Sequence, residues 1–384
     1  MTIAEYFEEL KTKEIICWGY GKHFRYISYP FLCKSGLIDN LIGFVDVPGM
    51  TDTGIGDRTY AGNGDRTYTG INGRTYAKIG RDELADLCGS DKMLLIAVTG
   101  YEEILSQLRS DAGTASIEAV PSIFLESLYE DMLLLAAEKP PADFRKHDSQ
   151  VIPKIIHGIW FSGEPLPELY ERCLASWKKY APDYEIKIWD LESYRADNCL
   201  FFEQAIAHKN WSFASDYARA DILYRYGGIY MDLDVEMLRP IDDLLYNDAY
   251  MSFESLDRIE CGSGMGAKPG HPIMREFCAS YESRPYLRAD GTWDTSTCPV
   301  RYTGVIEKHG LKKNGGFQFV EDITIYPFEM LTGKSFDTGI IYSTGSSYTL
   351  HHHNGSWIPD KAHRAVNERY KKIRRFLDEK GIEV

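Results

Sequence analysis

The stretch YRYGGIYMDLDVEML, residues 224–238, limits what this chain can fold into more than any other. Within and upstream of it, WSFASDYARADILYRY carries Phe213, Ala214, Tyr217, Ala220 and Leu223 or Tyr224 at helical intervals. Ser212 is the expected N-cap of that helix, and Gly227 and Gly228 its expected stop. IYMDLDV then alternates as a strand, so Met231, Leu233 and Val235 should face one way and Asp232 and Asp234 the other. Helix, glycine turn and strand in that order are parts of an α/β layer. Two carboxylates a strand period apart at its end make a hard-oxygen site suited to Mg2+ or Mn2+, an ion that keeps positions open for substrate phosphates.

The rest of the chain repeats this alternation twice. At 384 residues it exceeds what one core usually supports, so two domains are expected. In the first part, an apolar run Ile15 to Trp18, the segments LIGFVDV and KMLLIAVTG, and a helical EEILSQLRS read as a small Rossmann-like α/β domain over 1–137. Three octads, GDRTYAGN, GDRTYTGI and NGRTYAKI, occupy 56–79 and are too few and short for a solenoid. They predict an extended loop or hairpin pair inserted between sheet elements. The polar EKPPADFRKHDSQ, 138–150, reads as a linker. From 151 to 384 the βαβ logic restarts, with VIPKIIHGIWF as a buried strand, a helix closed by Pro182, and EIKIWD as the next strand.

Charge and cysteine usage exclude several classes. A formal net charge of -14 argues against a nucleic-acid partner, which needs a surplus of Lys and Arg on one face. Eight cysteines stand singly, without a CxxC pair, and read as reduced thiols of a cytoplasmic protein. The charged MTIAEYFEELKTKE lacks the apolar core of a signal peptide, and no run approaches the roughly 18 apolar residues of a membrane span. The C-terminal ERYKKIRRFLDEKG sets basic residues around Ile373, Phe376 and Leu377 at helical spacing, which would permit peripheral contact with an anionic inner membrane face.

The segment SFASDYARADILYRYGGIYMDLDVEMLRPIDDLL resembles the central motif of glycosyltransferase family 32, the D-x-D sugar-binding family related to the catalytic domains of large clostridial toxins. IPKIIHGIWFSGEPLPE, SWKKYAPDYEIKIWD, MGAKPGHPIM and HHHNGSW follow the same family pattern in order, so the resemblance covers about 150–360. It implies a GT-A fold, a nucleotide-sugar donor held through a divalent cation, transfer with retention, and a glycan or lipid-linked glycan acceptor in surface or capsular polysaccharide synthesis. By position, Asp234 would be the direct metal ligand and Asp232 would meet the ribose or reach the metal through water. Asp216 and Arg219, three apart on one helix face, would hold the donor with Tyr230. Ile159 and Trp160 would form the base pocket, with uridine preferred and guanosine second. His351, with His353 as runner-up, would supply a third metal ligand, and Ser356 and Trp357 would touch the diphosphate. Glu254 is a candidate near the acceptor. CGSG at 261–264 and Cys298 depart from the family pattern, which leaves the sugar unassigned.

Two rival readings belong to other classes. WGYGKHF lies after a strand, and Asp46 ends the next one where a dinucleotide fold places its ribose carboxylate, which would suit an NAD-dependent oxidoreductase. The third glycine position is Phe24, however, and a tight structural turn is the preferred reading of the GYG. The other rival is a non-catalytic sugar-nucleotide scaffold, which would bind donor without turnover.

Overall fold

The computed structural model describes residues 1–45, 67–69, 73–87, 89, 91–355 and 360–384. Two compact units form, Met1–Met132 with Ile373–Val384, and Leu133–Lys372. Both are α/β, the class expected from the sequence.

In the first unit, helix α1 (Ile3–Leu10) leads into β1 (Glu14–Trp18), α2 (Tyr29–Ser35) and β2 (Leu41–Val45). A hairpin of β3 (Thr67–Thr69) and β4 (Thr75–Ile79), then β5 (Lys92–Ile96), α3 (Tyr101–Ser110), β6 (Ala119–Pro121) and α4 (Ser122–Leu135) complete it. The sheet order is β3-β4-β2-β1-β5-β6, parallel throughout except for β3. This is a doubly wound, Rossmann-like order. β3 and β4 pair Tyr68 with Tyr76, so residues 67–69 of the second octad lie against 75–77 of the third, one repeat apart. The first octad, 56–63, and Asp46 lie outside the described residues.

The GYG turn is packed by aromatic rings. Tyr20 stacks on Phe24 at 5.4 Å and meets Phe44 edge-on at 4.8 Å. Gly19 has φ +109°, and a Cβ there would sit 2.5 Å from Val98 Cγ1 and 3.0 Å from the Ala97 carbonyl. Its lack of a side chain therefore serves the close approach to the neighbouring strand end.

Two boundaries differ from the sequence reading. Ile373–Val384, expected with the second domain, belong to the first unit, because Ile373, Phe376 and Leu377 are buried there. Phe376 meets Tyr6 at 5.9 Å and Phe124 at 5.8 Å, and the Met1 ammonium donates to the Gly381 carbonyl at 2.8 Å. The apolar residues that suggested membrane contact are thus core residues, while Lys371, Arg374 and Arg375 stay exposed. The segment 138–150, expected as a linker, is fastened to the second unit. Lys146 and His147 both reach the Asp248 carboxylate, at 2.9 and 2.8 Å, beside Lys268 at 2.6 Å.

The second unit starts with β7 (Ile155–Ile159), α5 (Glu168–Tyr180), β8 (Glu185–Trp189), α6 (Leu200–Ala207) and α7 (Trp211–Tyr226). It continues through β9 (Gly228–Met231), β10 (Val235–Met237), β11 (Ala249–Ser255), β12 (Arg258–Glu260) and β13 (Ser263–Ala267). The last strands are β14 (Gln318–Val320), β15 (Ile323–Tyr326) and β16 (Thr349–His351). The main sheet runs β14-β15-β11-β13-β9-β7-β8, with β12 beside β11, and β10 and β16 pair separately. Tyr230 enters the core layer on one face of the sheet while Ile229 and Met231 enter the other, as strand alternation requires.

The glycine turn that admits β9 is fixed by contact on both sides. Gly227 and Gly228 have φ +66° and +96°. A Cβ at Gly227 would lie 2.6 Å from Pro269 Cδ, and one at Gly228 2.6 Å from the Ile155 carbonyl oxygen. His157 Nε2 donates to the Gly227 carbonyl at 2.8 Å, and the Trp189 indole donates to His157 Nδ1 at 3.2 Å. Those partners fix a neutral imidazole with its proton on Nε2. Burial drives the pKa of His157 down to about 4 from the ordinary 6.5.

A depressed histidine pKa leaves the native state with fewer bound protons than the unfolded chain, so stability falls as pH drops from 6.5 towards 4. The loss at the low end is roughly 3 kcal/mol. Urea titrations across that window should show the slope in the natural protein and a flatter profile in His157→Gln; equal slopes would remove His157 as the cause.

Candidate functional site

The acidic pair sits where β9 leaves the main sheet. The sequence reading placed both aspartates on one continuous strand, but the strand ends at Met231 and residues 232–234 form a turn closed by Val235 N–H to the Asp232 carbonyl at 3.0 Å. The break lets β10 swing away and pair with β16, whose last residue, His351, opens the HHHNGSW segment. Both carboxylates still converge. Ligand atoms of Asp232, Asp234 and His351 all lie within 4.8 Å of one another.

Register explains the convergence. Val235 pairs with His351 across β10 and β16, which sets the imidazole beside Asp234, with Nε2 3.3 Å from Oδ1. The other Asp234 oxygen accepts the Asn354 N–H at 2.7 Å, and its carbonyl accepts the His352 N–H at 3.0 Å. Asp234 is buried. Burial pushes its carboxyl up, but the His351 charge and these hydrogen bonds outweigh it and hold the group well below the usual carboxylate range. Burial likewise pushes His351 down, and Asp234 and Glu260 outweigh it, so His351 lies well above the ordinary histidine value.

The helix before the glycines delivers the second set of predicted residues. The structure starts α7 at Trp211, after Asn210, so Ser212 lies in the first turn and is not the N-cap. The chain turns earlier because Lys209 takes φ +57° and the Asn210 N–H closes on the Ala205 carbonyl at 2.9 Å. Arg219 is buried and pairs with Asp216 at 2.9 Å and with Asp232 at 3.5 Å. Its guanidinium lies over the Tyr230 ring, 4.7 Å from the centroid, and the Tyr230 hydroxyl donates to Asp232 Oδ1 at 2.6 Å. Burial pushes the Asp216 carboxyl up to about 7, against the pull of Arg219. Asp216, Arg219, Tyr230 and Asp232 thus form one connected polar cluster.

Ile159 and Trp160 divide. The pairing of His157 with Tyr230 in parallel strands brings the end of β7 level with the acidic turn. Ile159 is buried in the apolar core, whereas Trp160 is partly exposed and meets Tyr170 edge-on at 5.5 Å. Tyr170 in turn accepts from the Asn354 side chain at 3.2 Å, which links the indole to the loop that holds Asp234. His353 stacks on His351 with ring centroids 4.1 Å apart, but its Nε2 is bonded to the Lys334 carbonyl at 2.9 Å and it stands outside the convergent set. Burial drives its pKa down to about 3. Ser356 and Trp357 lie outside the described residues. Glu254 stands at the irregular step where β11 pairs with β12, and burial beside Glu260 raises its carboxyl well above the usual range.

Glu260, Tyr170 and Asn354 also surround the site and escaped the sequence reading, as do Gly262 and Ser263, which it named only as part of the CGSG departure. Asn354 stood inside HHHNGSW, and the signal available for it was its place directly after the three histidines.

Two carboxylate oxygens and one imidazole nitrogen suit a divalent cation, and the nitrogen favours Mn2+ over the more strictly oxygen-seeking Mg2+. The arrangement can hold an ion at one edge and a cationic guanidinium at the other, and solvent reaches the Asp232 side chain, which is 28% exposed.

Residues 167–251 match the family model described as a glycosyltransferase sugar-binding region containing a DXD motif. Inositol phosphoceramide mannosyltransferase 3 of Schizosaccharomyces pombe is 35% identical over 150 residues, 38% of this chain and 42% of the relative. The chain thus spans less than half of that relative. Inositol phosphoceramide mannosyltransferase 2 of the same yeast is 28% identical over 287 residues, 71% of this chain and 74% of the relative. Among solved structures, the PaToxG glycosyltransferase matches with a TM-score of 0.34 and 17% identity over 42% of this chain and 72% of its own. The chain therefore carries the sugar-binding region of the D-x-D glycosyltransferases, and the names of these relatives accord with the hexosyl-transferring enzyme expected from its sequence.

Proposed function

We propose that the second unit is a GT-A-type transferase that moves a hexose, with retention, from a nucleotide-diphosphate sugar to a hydroxyl of a glycan or lipid-linked glycan. The observation that carries this reading is the meeting of Asp232, Asp234 and His351 at the end of β9, inside and beside the matched family region. Asp234 and His351 would hold a divalent cation, Mn2+ before Mg2+, with Asp232 reaching it or the ribose. When bound, such an ion neutralises diphosphate charge and makes the nucleotide a better leaving group.

The chain's own residues do the rest. Arg219 orients Asp216 and Asp232, so that their remaining acceptor positions meet donor hydroxyls in a fixed geometry. Trp160, propped by Tyr170, offers an aromatic face to a flat base. Retention follows a front-face course in which the leaving diphosphate accepts the acceptor's proton, so the protein supplies orientation and electrostatics.

Uridine is the base preferred, with guanosine second. The relatives named as inositol phosphoceramide mannosyltransferases bring mannose and a glycolipid acceptor to the head of the list. A lipid-linked acceptor at the inner membrane face, in surface-polysaccharide assembly, is the setting of this reading. The exposed Lys371, Arg374 and Arg375 offer charge for such contact.

The test is release of nucleoside diphosphate from a panel of UDP- and GDP-sugars, with Mn2+ or with EDTA, alongside NAD and NADP binding. Mn2+-dependent release that EDTA abolishes is expected. Donor binding without turnover would favour the scaffold reading, and NAD binding without any donor response would move the chemistry to the first unit.

A further inference from the structure

Between β12 and β13 the chain reads Glu260, Cys261, Gly262, Ser263, and each of the three polar or small positions touches the acidic site from beneath. The Gly262 carbonyl accepts the Asp232 N–H at 2.8 Å, which ends the pairing of β9 at the residue where the turn must begin. A Cβ on Gly262 would lie 2.0 Å from Asp232 Oδ2 and 2.7 Å from its Cγ. No side chain fits there without displacing that carboxylate. The need is for space alone, since the backbone of Gly262 is not left-handed.

The Gly262 N–H donates to Glu260 Oε1 at 2.6 Å, and the same oxygen lies 3.5 Å from His351 Nδ1. Ser263 Oγ is 3.1 Å from that nitrogen, and the Ser263 carbonyl accepts from Thr349 Oγ1 at 2.7 Å, two residues before the histidine. Glu260 and Ser263 are 5% and 1% exposed, so water does not compete for these bonds. His351 therefore presents Nε2 towards Asp234 while its far edge is gripped by a carboxylate and a hydroxyl. A histidine held this way on Nδ1 has its ring fixed with Nε2 turned towards the position a cation would take.

We propose that Glu260 and Gly262 are the positioning residues of the cation site, Gly262 by leaving the volume that Asp232 occupies and Glu260 by fixing the ring orientation of His351. This rests on the transferase reading for the presence of the cation. It adds that CGSG, the departure from the family pattern, is the support of the acidic turn.

The test is direct Mn2+ binding, followed by the loss of the free-ion electron paramagnetic resonance signal, in the natural protein, Glu260→Gln and Gly262→Ala, with thermal unfolding of each cation-free protein. Glu260→Gln keeps an oxygen for the Gly262 N–H and removes the charge that faces His351 and Glu254. We expect its Mn2+ affinity to fall about 10–100-fold with the cation-free melting temperature close to that of the natural protein. Gly262→Ala should lose at least about tenfold, and Glu260→Asp should recover part of the loss. Natural affinity in both Glu260→Gln and a folded Gly262→Ala would overturn the proposal and leave the transferase reading standing. If Gly262→Ala fails to fold, Glu260→Gln decides alone. No Mn2+ binding by the natural protein would overturn both.

Discussion

Asp234→Ala should lose metal-dependent turnover by about a thousandfold or more while the protein remains folded. A ligand that helps stabilise departing diphosphate charge is worth several kcal/mol, and each 1.36 kcal/mol is tenfold in rate. The lost group is paired with His351 and the Asn354 N–H and packs no apolar core, so the structural cost is that of two unpartnered polar groups, roughly 1–3 kcal/mol each. His351 relieves part of this by releasing the proton that Asp234 and Glu260 hold on it. Steady-state release of nucleoside diphosphate, with circular dichroism melting as the control, checks both halves. Turnover equal to the natural protein would sink the assignment of Asp234.

Arg219→Ala should damage stability more than any other single change in the site, by about 3–5 kcal/mol, and remove donor binding with it. The guanidinium is buried, and its loss leaves Asp216 and Asp232 facing each other without a cation. Asp216 already binds its proton up to about pH 7, so the variant escapes part of the cost by staying protonated. An acid whose folded pKa is raised loses stability as pH rises, so the deficit should be larger at pH 8 than at pH 5. Urea unfolding at the two pH values checks the sign, and Asp216→Asn in the same chain should restore part of the loss. A variant as stable as the natural protein at pH 8 would show that the cluster is not held by Arg219.

The chemistry-bearing residues of this site were legible because their types are specific. Two aspartates, a buried arginine and a histidine in family order point to one ligand class wherever the backbone bends. The bend itself was not legible: IYMDLDV alternates as a strand, and only β16, more than 100 residues later, draws β10 out of the sheet. Gly262 was silent for a related reason. The first glycine of CGSG carries no local sign that the Asp232 carboxylate lies 2.0 Å from the position of its missing Cβ.

The same distance in sequence misled the reading of the C-terminal helix. Its apolar stripe was visible, but Tyr6 and Phe124, which cover it, stand far upstream. Ser212 looked like a cap because capping residues are read from neighbours, whereas the left-handed Lys209 and the Asn210 bond to α6 decide the start of α7. The Rossmann-like order, by contrast, followed from short apolar runs between helical segments, a pattern that local sequence does carry.

In the proposed transferase, Asp234 and His351 would bind one divalent cation together with the diphosphate of a sugar nucleotide. The most direct measurement is a crystal soaked with Mn2+ and UDP, or with GDP in a parallel soak, and examined by anomalous diffraction at the manganese edge. A single strong peak is expected, contacted by the Asp234 carboxylate and His351 Nε2, with the diphosphate on its open side and the base near Trp160. A nucleotide bound without metal, or a manganese peak away from both side chains, would contradict it.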